Sequence, residues 1–245
     1  MARLPRLSVP DQLHLILLRV RGDRAAFADP EAYAAYLEFL RAESAAAGVA
    51  IHAFALTPMR VWILATPPTT TALGAMVQAV GRRFVPRFNR RHGTHGGFWQ
   101  GRFGAAVVDT GECFLDCLRF IETEPVRGGL VERAQDWPWS SAAHHCGLHS
   151  ETCLTEHPYY WALGNTPFER EARVKELLAT VLPDARRRDI EAAAAHGWAL
   201  GSAEFIEKMA SISTRRLRPL PRGRRRLHKP FDMSPFNQNK KPELT

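Results

Sequence analysis

Residues 49–65, VAIHAFALTPMRVWILA, carry the pattern that decides the fold. Two apolar runs, residues 49–56 and 61–65, are too short for buried helices and flank Thr57 and Pro58, so they predict two strands joined by a turn. Residues 13–21 predict a further strand before this pair, and residues 103–109 predict one after it.

Helical periodicity separates these strands. Asp29, Pro30 and Glu31 predict the start of a first helix, which Gly48 ends. A second helix is expected over residues 70–91, with Pro86 inside it, and a third over residues 111–123. The order differs from the regular alternation of a parallel sheet. It predicts an α+β fold, with an antiparallel sheet and helices packed on one side in the ferredoxin-like manner.

The character of the sequence changes after residue 147. We expect one domain over residues 1–147 and a small helical C-terminal segment over residues 148–213. From residue 214 to 245 the apolar periodicity vanishes and Pro, Arg, Lys and Asn dominate, which predicts a basic and disordered tail.

Positive charge is concentrated in two places. The net charge is +8, and residues 215–245 hold 10 Lys or Arg against Asp232 and Glu243, so 10 − 2 = +8 and the rest of the chain is neutral. A second concentration of arginines spans residues 82–102, where no acidic residue occurs. Two basic regions favour a polyanionic partner such as nucleic acid. The alternative is a solvated basic face with a solubilising tail.

Several protein classes are disfavoured. No apolar stretch approaches the ~20 residues needed to cross a bilayer, and MARLPRLSVPDQ at the N-terminus lacks the apolar core of a signal peptide. We therefore expect a cytoplasmic protein with no membrane partner. Four cysteines, at 113, 117, 146 and 153, match no familiar zinc spacing. Buried reduced thiols are expected, with a zinc site in the Cys/His run 144–153 as the alternative.

Ordered motifs across the chain resemble the REP-associated tyrosine transposases, a branch of the single-tyrosine HUH transposases. The matching stretches are IHAFALTP (51–58), FNRRHGTHGGFWQGRF (88–103), CLRFIETEPVRGGLV (117–131), DWPWSS (136–141), HPYYWALG (157–164) and GWALGSAEF (197–205). The resemblance implies a ferredoxin-like HUH domain that recognises DNA hairpins and cleaves single-stranded DNA. It also implies a tyrosine nucleophile and a divalent metal, Mg²⁺ or Mn²⁺, held by two histidines.

This chain departs from the family at its catalytic positions. Arg60 and Trp62 stand where the resemblance places the two histidines, and Phe120 stands at the tyrosine position. Guanidinium and indole offer no lone pair to a metal, and phenylalanine has no hydroxyl. Glu124 replaces an amide residue near the metal. We therefore expect no catalytic residue and no Mg or Mn cofactor. A relocated metal site using His14 or His52 is the alternative.

The features that would bind DNA are better preserved than the catalytic ones. Arginines grip phosphates, aromatic rings stack on unpaired bases, and amides read base edges. On these grounds the expected DNA contacts are Arg60, Trp62, Arg83, Arg87, Asn89, Arg90, Arg91, Phe98, Trp99, Gln100 and Arg102. Phe98 and Trp99 would alternatively anchor their loop to the core, and Arg60 and Trp62 would alternatively reflect drift.

The tail adds further candidate contacts. Residues 221–226, PRGRRR, resemble the core of an AT-hook, and Arg222, Arg224 and Arg225 would then enter a minor groove. A generic electrostatic tether is the simpler interpretation.

The favoured function is a catalytically inactive, transposase-like protein that binds hairpin or single-stranded DNA in preference to duplex. Three alternatives remain open. They are a duplex-binding transcription regulator, a still-active nuclease that uses relocated residues, and a protein-interaction module that kept only the fold. The oligomeric state, monomer or homodimer, is left open.

Overall fold

The computed structural model describes residues 6–22 and 25–219. Its centre is a four-stranded sheet formed by β1 (Leu13–Arg19), β2 (Ala50–Thr57), β3 (Arg60–Thr66) and β4 (Gly104–Val108). The strand order is β2-β3-β1-β4, and each neighbouring pair is antiparallel. The predicted strand pair on either side of Thr57 and Pro58 is therefore confirmed as the hairpin of β2 and β3.

Two long helices cover one face of the sheet. The first, α1 (Pro30–Ala47), begins at Asp29, whose side chain accepts a hydrogen bond from the Ala32 amide, and ends at Gly48 in the left-handed conformation. The second, α2 (Ala72–His92), packs beside α1 and contains Pro86. The order β1-α1-β2-β3-α2-β4 is the ferredoxin-like order, and it confirms the α+β class.

The opposite face of the sheet is also covered. Helices α3 (Glu112–Glu122), α4 (Glu124–Arg127), α5 (Ala142–His145) and α6 (Pro158–Trp161) follow β4, and α7 (Pro167–Ala179), α8 (Asp184–His196) and α9 (Ala203–Ser211) complete the described chain. Side chains of α3, α7 and α8 form one apolar cluster with this face of the sheet. The expectation that helices pack on one side therefore holds for α1 and α2 but not for the later helices.

The helical segment after residue 147 contributes directly to that second cluster. Val174 of α7 and Ile190 and Ala194 of α8 are buried in it beside Leu15 and Leu64 of the sheet. An antiparallel strand pattern with apolar residues on both faces needs a second covering layer, and this segment supplies it. The boundary at residue 147 stays a prediction.

Alternation along β1 and β3 assigns side chains to the two faces. Ile63 and Ala65 face α1 and α2, whereas Arg60, Trp62 and Leu64 face the later helices. Trp62 pairs in register with Leu17 on one side and Ala55 on the other. The two positions of interest on β3 are therefore directed at α3, α4 and α8. Within the described residues, no helix is long and apolar enough to cross a membrane.

Candidate nucleic-acid interface

The structure brings the four positions of the expected catalytic site together. Trp62 of β3 is fully buried, and its ring meets that of Phe120 on α3 edge to face, with 5.0 Å between the ring centroids. Phe120 is 3% exposed. Two aromatic rings therefore fill the space between strand and helix, and neither face of the indole is open. The expectation that Trp62 stacks on a nucleic-acid base is wrong in this fold.

Arg60 lies at the end of β3 in a small network of charges. Its Nη1 atom lies 3.4 Å from Oε1 of Glu124 and 3.2 Å from Oε1 of Glu191 on α8. Arg127 donates to the other oxygen of Glu124 at 2.5 Å and to the carbonyl of Phe120 at 2.6 Å. These residues line a cleft of about 420 Å³. Arg60 is partly exposed there, so it remains accessible to an anion.

These residues do not fit a divalent cation. The Trp62 Nε1 atom is buried with no hydrogen-bond partner, and an indole N–H offers a proton rather than a lone pair. Glu124 is the one carboxylate among the four positions, and it is already engaged by Arg60 and Arg127. Arg60 would repel a cation. Across the residues described, no group of three or more His, Cys, Asp or Glu side chains is placed to hold a metal ion.

The histidines considered as substitutes have structural partners. His14 is buried, with Nδ1 2.7 Å from the Gln12 carbonyl and Nε2 accepting from the Val9 amide at 3.2 Å. His52 lies between the Thr155 carbonyl and the Thr66 hydroxyl, at 2.7 and 2.9 Å. Both rings use both nitrogens, which leaves none for a metal.

The four tyrosines do not supply an evident nucleophile. Tyr33 and Tyr36 lie in the apolar cluster on the α1 side of the sheet, the face opposite Trp62. Burial raises the pKa of Tyr33 and of Tyr160 to about 12, which disfavours a phenolate. Tyr159 is partly exposed and stacks on His157 with 5.6 Å between centroids.

The four cysteines are free thiols, and none belongs to a group of three or more metal-ligating side chains among the described residues. Cys113 and Cys117 lie on α3, Cys146 follows α5, and all four thiols are free. Burial raises the pKa of Cys146 to about 11 and that of Cys153 to about 12, so both hold their protons at neutral pH. The reduced buried thiol is the state that these surroundings favour.

The predicted arginines of α2 face α1 and are paired with its acids. Arg83 donates to Glu43 at 3.0 Å, Arg87 donates to Glu31 at 2.6 Å, and Arg91 contacts Glu31 as well. Arg90 is exposed in the last turn. These cations are accessible, and a bound phosphate would have to displace carboxylates from several of them.

The residues after α2 have mainly structural contacts. Asn89 donates to the Gly96 carbonyl at 3.2 Å and accepts from the Thr94 hydroxyl, so its amide closes the loop. Phe98 is buried against Phe84 and Phe88, with 5.9 and 4.5 Å between ring centroids. The expectation that Phe98 stacks on a base is wrong, and the alternative, that it anchors the loop to the core, is correct.

Trp99 and Gln100 border an open groove. The groove has a volume of about 780 Å³ and lies between α2 and the segment of residues 99–103. Trp99 is half-buried, with its edge towards Tyr36, while Gln100 and Arg102 are exposed. We call this surface the α2 groove; its polar and aromatic lining is Arg6, Arg19, Gln78, Arg82, Trp99, Gln100, Arg102 and Phe103.

A second concave surface adjoins the α2 groove and was missed by sequence reasoning. It is a cleft of about 630 Å³, which we call the arginine cleft, and its polar lining is Arg6, Arg19, Gln100, Arg102, His196 and Arg215. Its residues come from the start of the chain, β1, the segment before β4 and both ends of the α8–α9 region. No local sequence motif predicts this group of lining residues, because only tertiary packing brings these segments together. Arg222, Arg224 and Arg225 of the predicted tail lie outside the described residues.

Comparisons with known proteins concern the fold. No protein-family model and no curated protein matches the sequence. Among solved structures, a REP-associated tyrosine transposase bound to a REP hairpin matches with a TM-score of 0.51 and 14% identity, over 64% of this chain and 99% of that chain. A protein of Deinococcus radiodurans R1, provisionally assigned as a transposase, matches with a TM-score of 0.32 and 19% identity, over 53% of this chain and 92% of that one.

The first likeness confirms, at the level of the fold, the resemblance seen in the sequence motifs. It spans nearly all of the solved transposase, and it agrees with the β1-α1-β2-β3-α2-β4 order. The chain therefore has the fold of the REP-associated tyrosine transposases.

Proposed function

We propose that this chain binds hairpin or single-stranded DNA in preference to duplex, and that it does so without cutting the strand. The observation that carries the proposal is a continuous cationic surface, in which the α2 groove and the arginine cleft share Arg6, Arg19, Gln100 and Arg102. Guanidinium groups bind phosphates through paired N–H donors, and amide side chains such as Gln100 read base edges.

The likeness to a solved transposase that is bound to a REP hairpin supports DNA as the partner. A strand edge with aromatic and cationic side chains suits unpaired nucleotides, because Trp99 and Phe103 offer ring surface that a closed duplex would not reach. The exposed acids Glu204 and Glu207 on α9 disfavour that helix as a phosphate-binding element.

The contacts of Trp62 and Phe120 support the proposed absence of cleavage. Phosphodiester cleavage by this fold needs a metal that polarises the phosphate and a hydroxyl that attacks it. The buried ring pair provides neither, and the charge network of Arg60, Glu124 and Glu191 provides no nucleophile. Under this proposal binding requires no metal cofactor, and Arg60 acts as a phosphate contact.

Fluorescence anisotropy with hairpin, single-stranded and duplex probes at fixed salt tests the binding. The double variant Arg82→Gln/Arg83→Gln should weaken hairpin binding about tenfold and reduce the salt slope by about 1.5, because two phosphate contacts are removed. The matched control is Arg133→Gln/Arg173→Gln, which removes two exposed arginines that pair locally with Asp136 and Glu176. No binding to any probe at low salt would refute the proposal.

Cleavage is tested separately. The protein is incubated with a hairpin probe and Mg²⁺ or Mn²⁺, and a covalent protein–DNA adduct is sought by denaturing electrophoresis and mass spectrometry. We expect none. An adduct on any tyrosine would show that a relocated site is active and would overturn the non-cleaving part of the proposal. Tighter binding to duplex than to hairpin would instead favour a duplex-binding regulator.

A further inference from the structure

The arginine cleft lies where the end of α8 comes against β1 and β4. Arg19 comes from β1, His196 from the last turn of α8, and Arg102 from the segment before β4. Arg6 precedes β1 and Arg215 follows α9. Four arginines therefore meet around one cavity of about 630 Å³, and the residues described in its lining include no aspartate or glutamate.

Two glycines make this convergence possible. A Cβ atom added to Gly104 would lie 2.3 Å from the Ala194 carbonyl oxygen, so only glycine lets β4 approach α8 this closely. Gly197 has a φ of +71°, and a Cβ there would lie 2.5 Å from Nη2 of Arg215. The close approach of backbone fixes the walls of the cleft and holds the Arg215 guanidinium against the end of α8.

Two of these arginines donate hydrogen bonds to backbone carbonyl groups, and these bonds orient the guanidinium groups. The Nε atom of Arg6 donates to the Phe103 carbonyl at 2.9 Å, and Nη2 of Arg215 donates to the His196 carbonyl at 3.0 Å. Burial and the nearby charge of Arg102 lower the pKa of Arg6 to about 10, and the same two causes lower the pKa of Arg215. Like charges crowded into a partly buried cleft create a strong preference for an anion.

One carboxylate of the described residues, Glu191, contacts an arginine of the cleft. Glu191 of α8 lies 3.5 Å from Nη2 of Arg19, and the same Oε1 atom also contacts Arg60. Its charge is shared between two arginines, and Arg6, Arg102 and Arg215 lie further along the lining.

The arginine cleft also contains planar side chains. The guanidinium of Arg6 lies 3.6 Å over the centre of the Phe103 ring, and the exposed His196 ring stacks on Trp198 with 4.6 Å between centroids. Planar guanidinium and imidazole faces are surfaces on which unpaired bases stack. Gln100 at the rim offers both a donor and an acceptor.

We infer that the arginine cleft binds one phosphate group of a nucleotide, with the attached base stacked on the Arg6 or His196 face. This inference rests on the proposed function for the identity of the polymer, since a phosphodiester within a bound strand is one source of the phosphate. A free nucleotide is the other source. Inorganic anions alone would use the charge but not the flat faces.

Direct titration of the full chain separates the two sources. In the free-nucleotide arm, isothermal titration calorimetry measures the affinity for 2′-deoxyadenosine 5′-monophosphate. Deoxyadenosine is the matched ligand without a phosphate. The strand arm measures anisotropy of a twelve-residue oligothymidine across a salt series. Both arms are repeated on Arg102→Gln, with Arg133→Gln as the control of equal charge change. They are also repeated on the double variant Arg6→Gln/Arg102→Gln, with Arg133→Gln/Arg173→Gln as its control.

If the inference is correct, the affinity in one arm or both falls at least about fivefold for each arginine replaced. The salt slope of strand binding falls by about 0.7 for each lost phosphate contact. Thermal unfolding midpoints verify that the variants are folded. Because Arg6 also joins its segment to Phe103, Arg6→Lys serves as a second variant that keeps the charge and loses the paired donors.

The outcomes distinguish this inference from the proposed function. If the wild-type chain binds the strand and the folded cleft variants match the control in both arms, the cleft inference is wrong and DNA binding stands. If the chain binds the monophosphate through these arginines but no DNA probe, the cleft stands and the proposed function fails. Binding of deoxyadenosine as tightly as its monophosphate would also overturn the inference.

Discussion

The indole of Trp62 lies at the centre of the sheet, in register with Leu17 and Ala55, and its ring meets Phe120. At this position a histidine would be smaller and would place polar nitrogens in an apolar cluster. Trp62 and Phe120 therefore fill the volume between the sheet and α3. Under the proposed function, the same two side chains would account for both the packing and the absence of cleavage.

Replacing Trp62 should lower the free energy of unfolding and leave the affinity for DNA unchanged. Trp62→His removes most of a fully buried ring, and we expect the free energy of unfolding to fall by about 3 kcal/mol, with hairpin affinity of the folded protein unchanged. Urea denaturation measures the first quantity and anisotropy the second. The matched control is Trp161→His, at a side chain that is 52% exposed, and it should cost less than about 1 kcal/mol. Equal costs at the two positions would contradict this account of Trp62.

His14 makes stability depend on pH. Burial lowers the pKa of His14 to about 4 in the folded chain, while the unfolded chain keeps a value near 6.5. The unfolded state therefore binds more protons between those two values, so stability is present in full above pH 6.5 and is lost as the pH falls towards 4. Between pH 7 and pH 5 we expect a loss of about 2 kcal/mol from this group.

Urea unfolding of wild type and His14→Gln at pH 7 and pH 5 checks the assignment. The variant should be less stable at pH 7, because the Val9 amide loses its acceptor, but its stability should change less with pH. An unchanged pH dependence in His14→Gln would show that other groups control it.

Among the elements, the strands and the helix ends could be predicted because their signals are local. Asp29 and Gly48 mark the two ends of α1 through cap chemistry, and alternation along β3 places residues 60 and 62 on one face. The burial of Trp62 and Phe98 could not be predicted, because an aromatic ring in an apolar pattern suits a core and a binding surface equally well. Only the helices that cover the second face decide between them.

The arginine cleft likewise could not be predicted from the sequence. Arg6 and Arg215 are more than two hundred positions apart, and neither stands in a motif. Their proximity depends on the close approach at Gly104 and Gly197, which is visible only when α8 lies against β4.

The contact between α1 and α2 limits how strongly the α2 arginines can bind DNA. Arg87 and Arg91 both pair with Glu31, and their proximity lowers the pKa of Glu31. Glu31→Gln should release Arg87 and leave Arg91 paired with Asp29 alone, and it should tighten hairpin binding a few-fold at low salt, with a steeper salt dependence. Glu204→Gln on α9 is the control with the same charge change. Unaltered affinity in Glu31→Gln would show that this face of α2 does not contact DNA.

For the whole molecule, the charge distribution predicts that preference for a hairpin and overall attraction to DNA depend on different parts of the sequence. The chain up to residue 214 is neutral in sum, so its arginines act through their placement in the cleft and the groove. The excess charge belongs to residues 215–245, of which Arg215 lies in the arginine cleft. Under the proposed function, the other cations of this stretch attract the polyanion at longer range. The preference for a hairpin over duplex is then expected to depend on residues 6–219, and total affinity on these residues and on residues 220–245 together.

A chain ending at residue 219 tests this division. It keeps Leu217, which packs with Val107 and Met209. It loses two acids, Asp232 and Glu243, and seven cations, so the net charge falls by 7 − 2 = 5. The seven cations are Arg222, Arg224, Arg225, Arg226, Lys229, Lys240 and Lys241. Anisotropy between 50 and 200 mM salt should show weaker binding to every probe and a salt slope lower by about 2 or more. The ratio of hairpin to duplex affinity should stay the same, because the tail's attraction is insensitive to strand structure. A ratio that collapses towards one would place recognition in the tail and not in the arginine cleft.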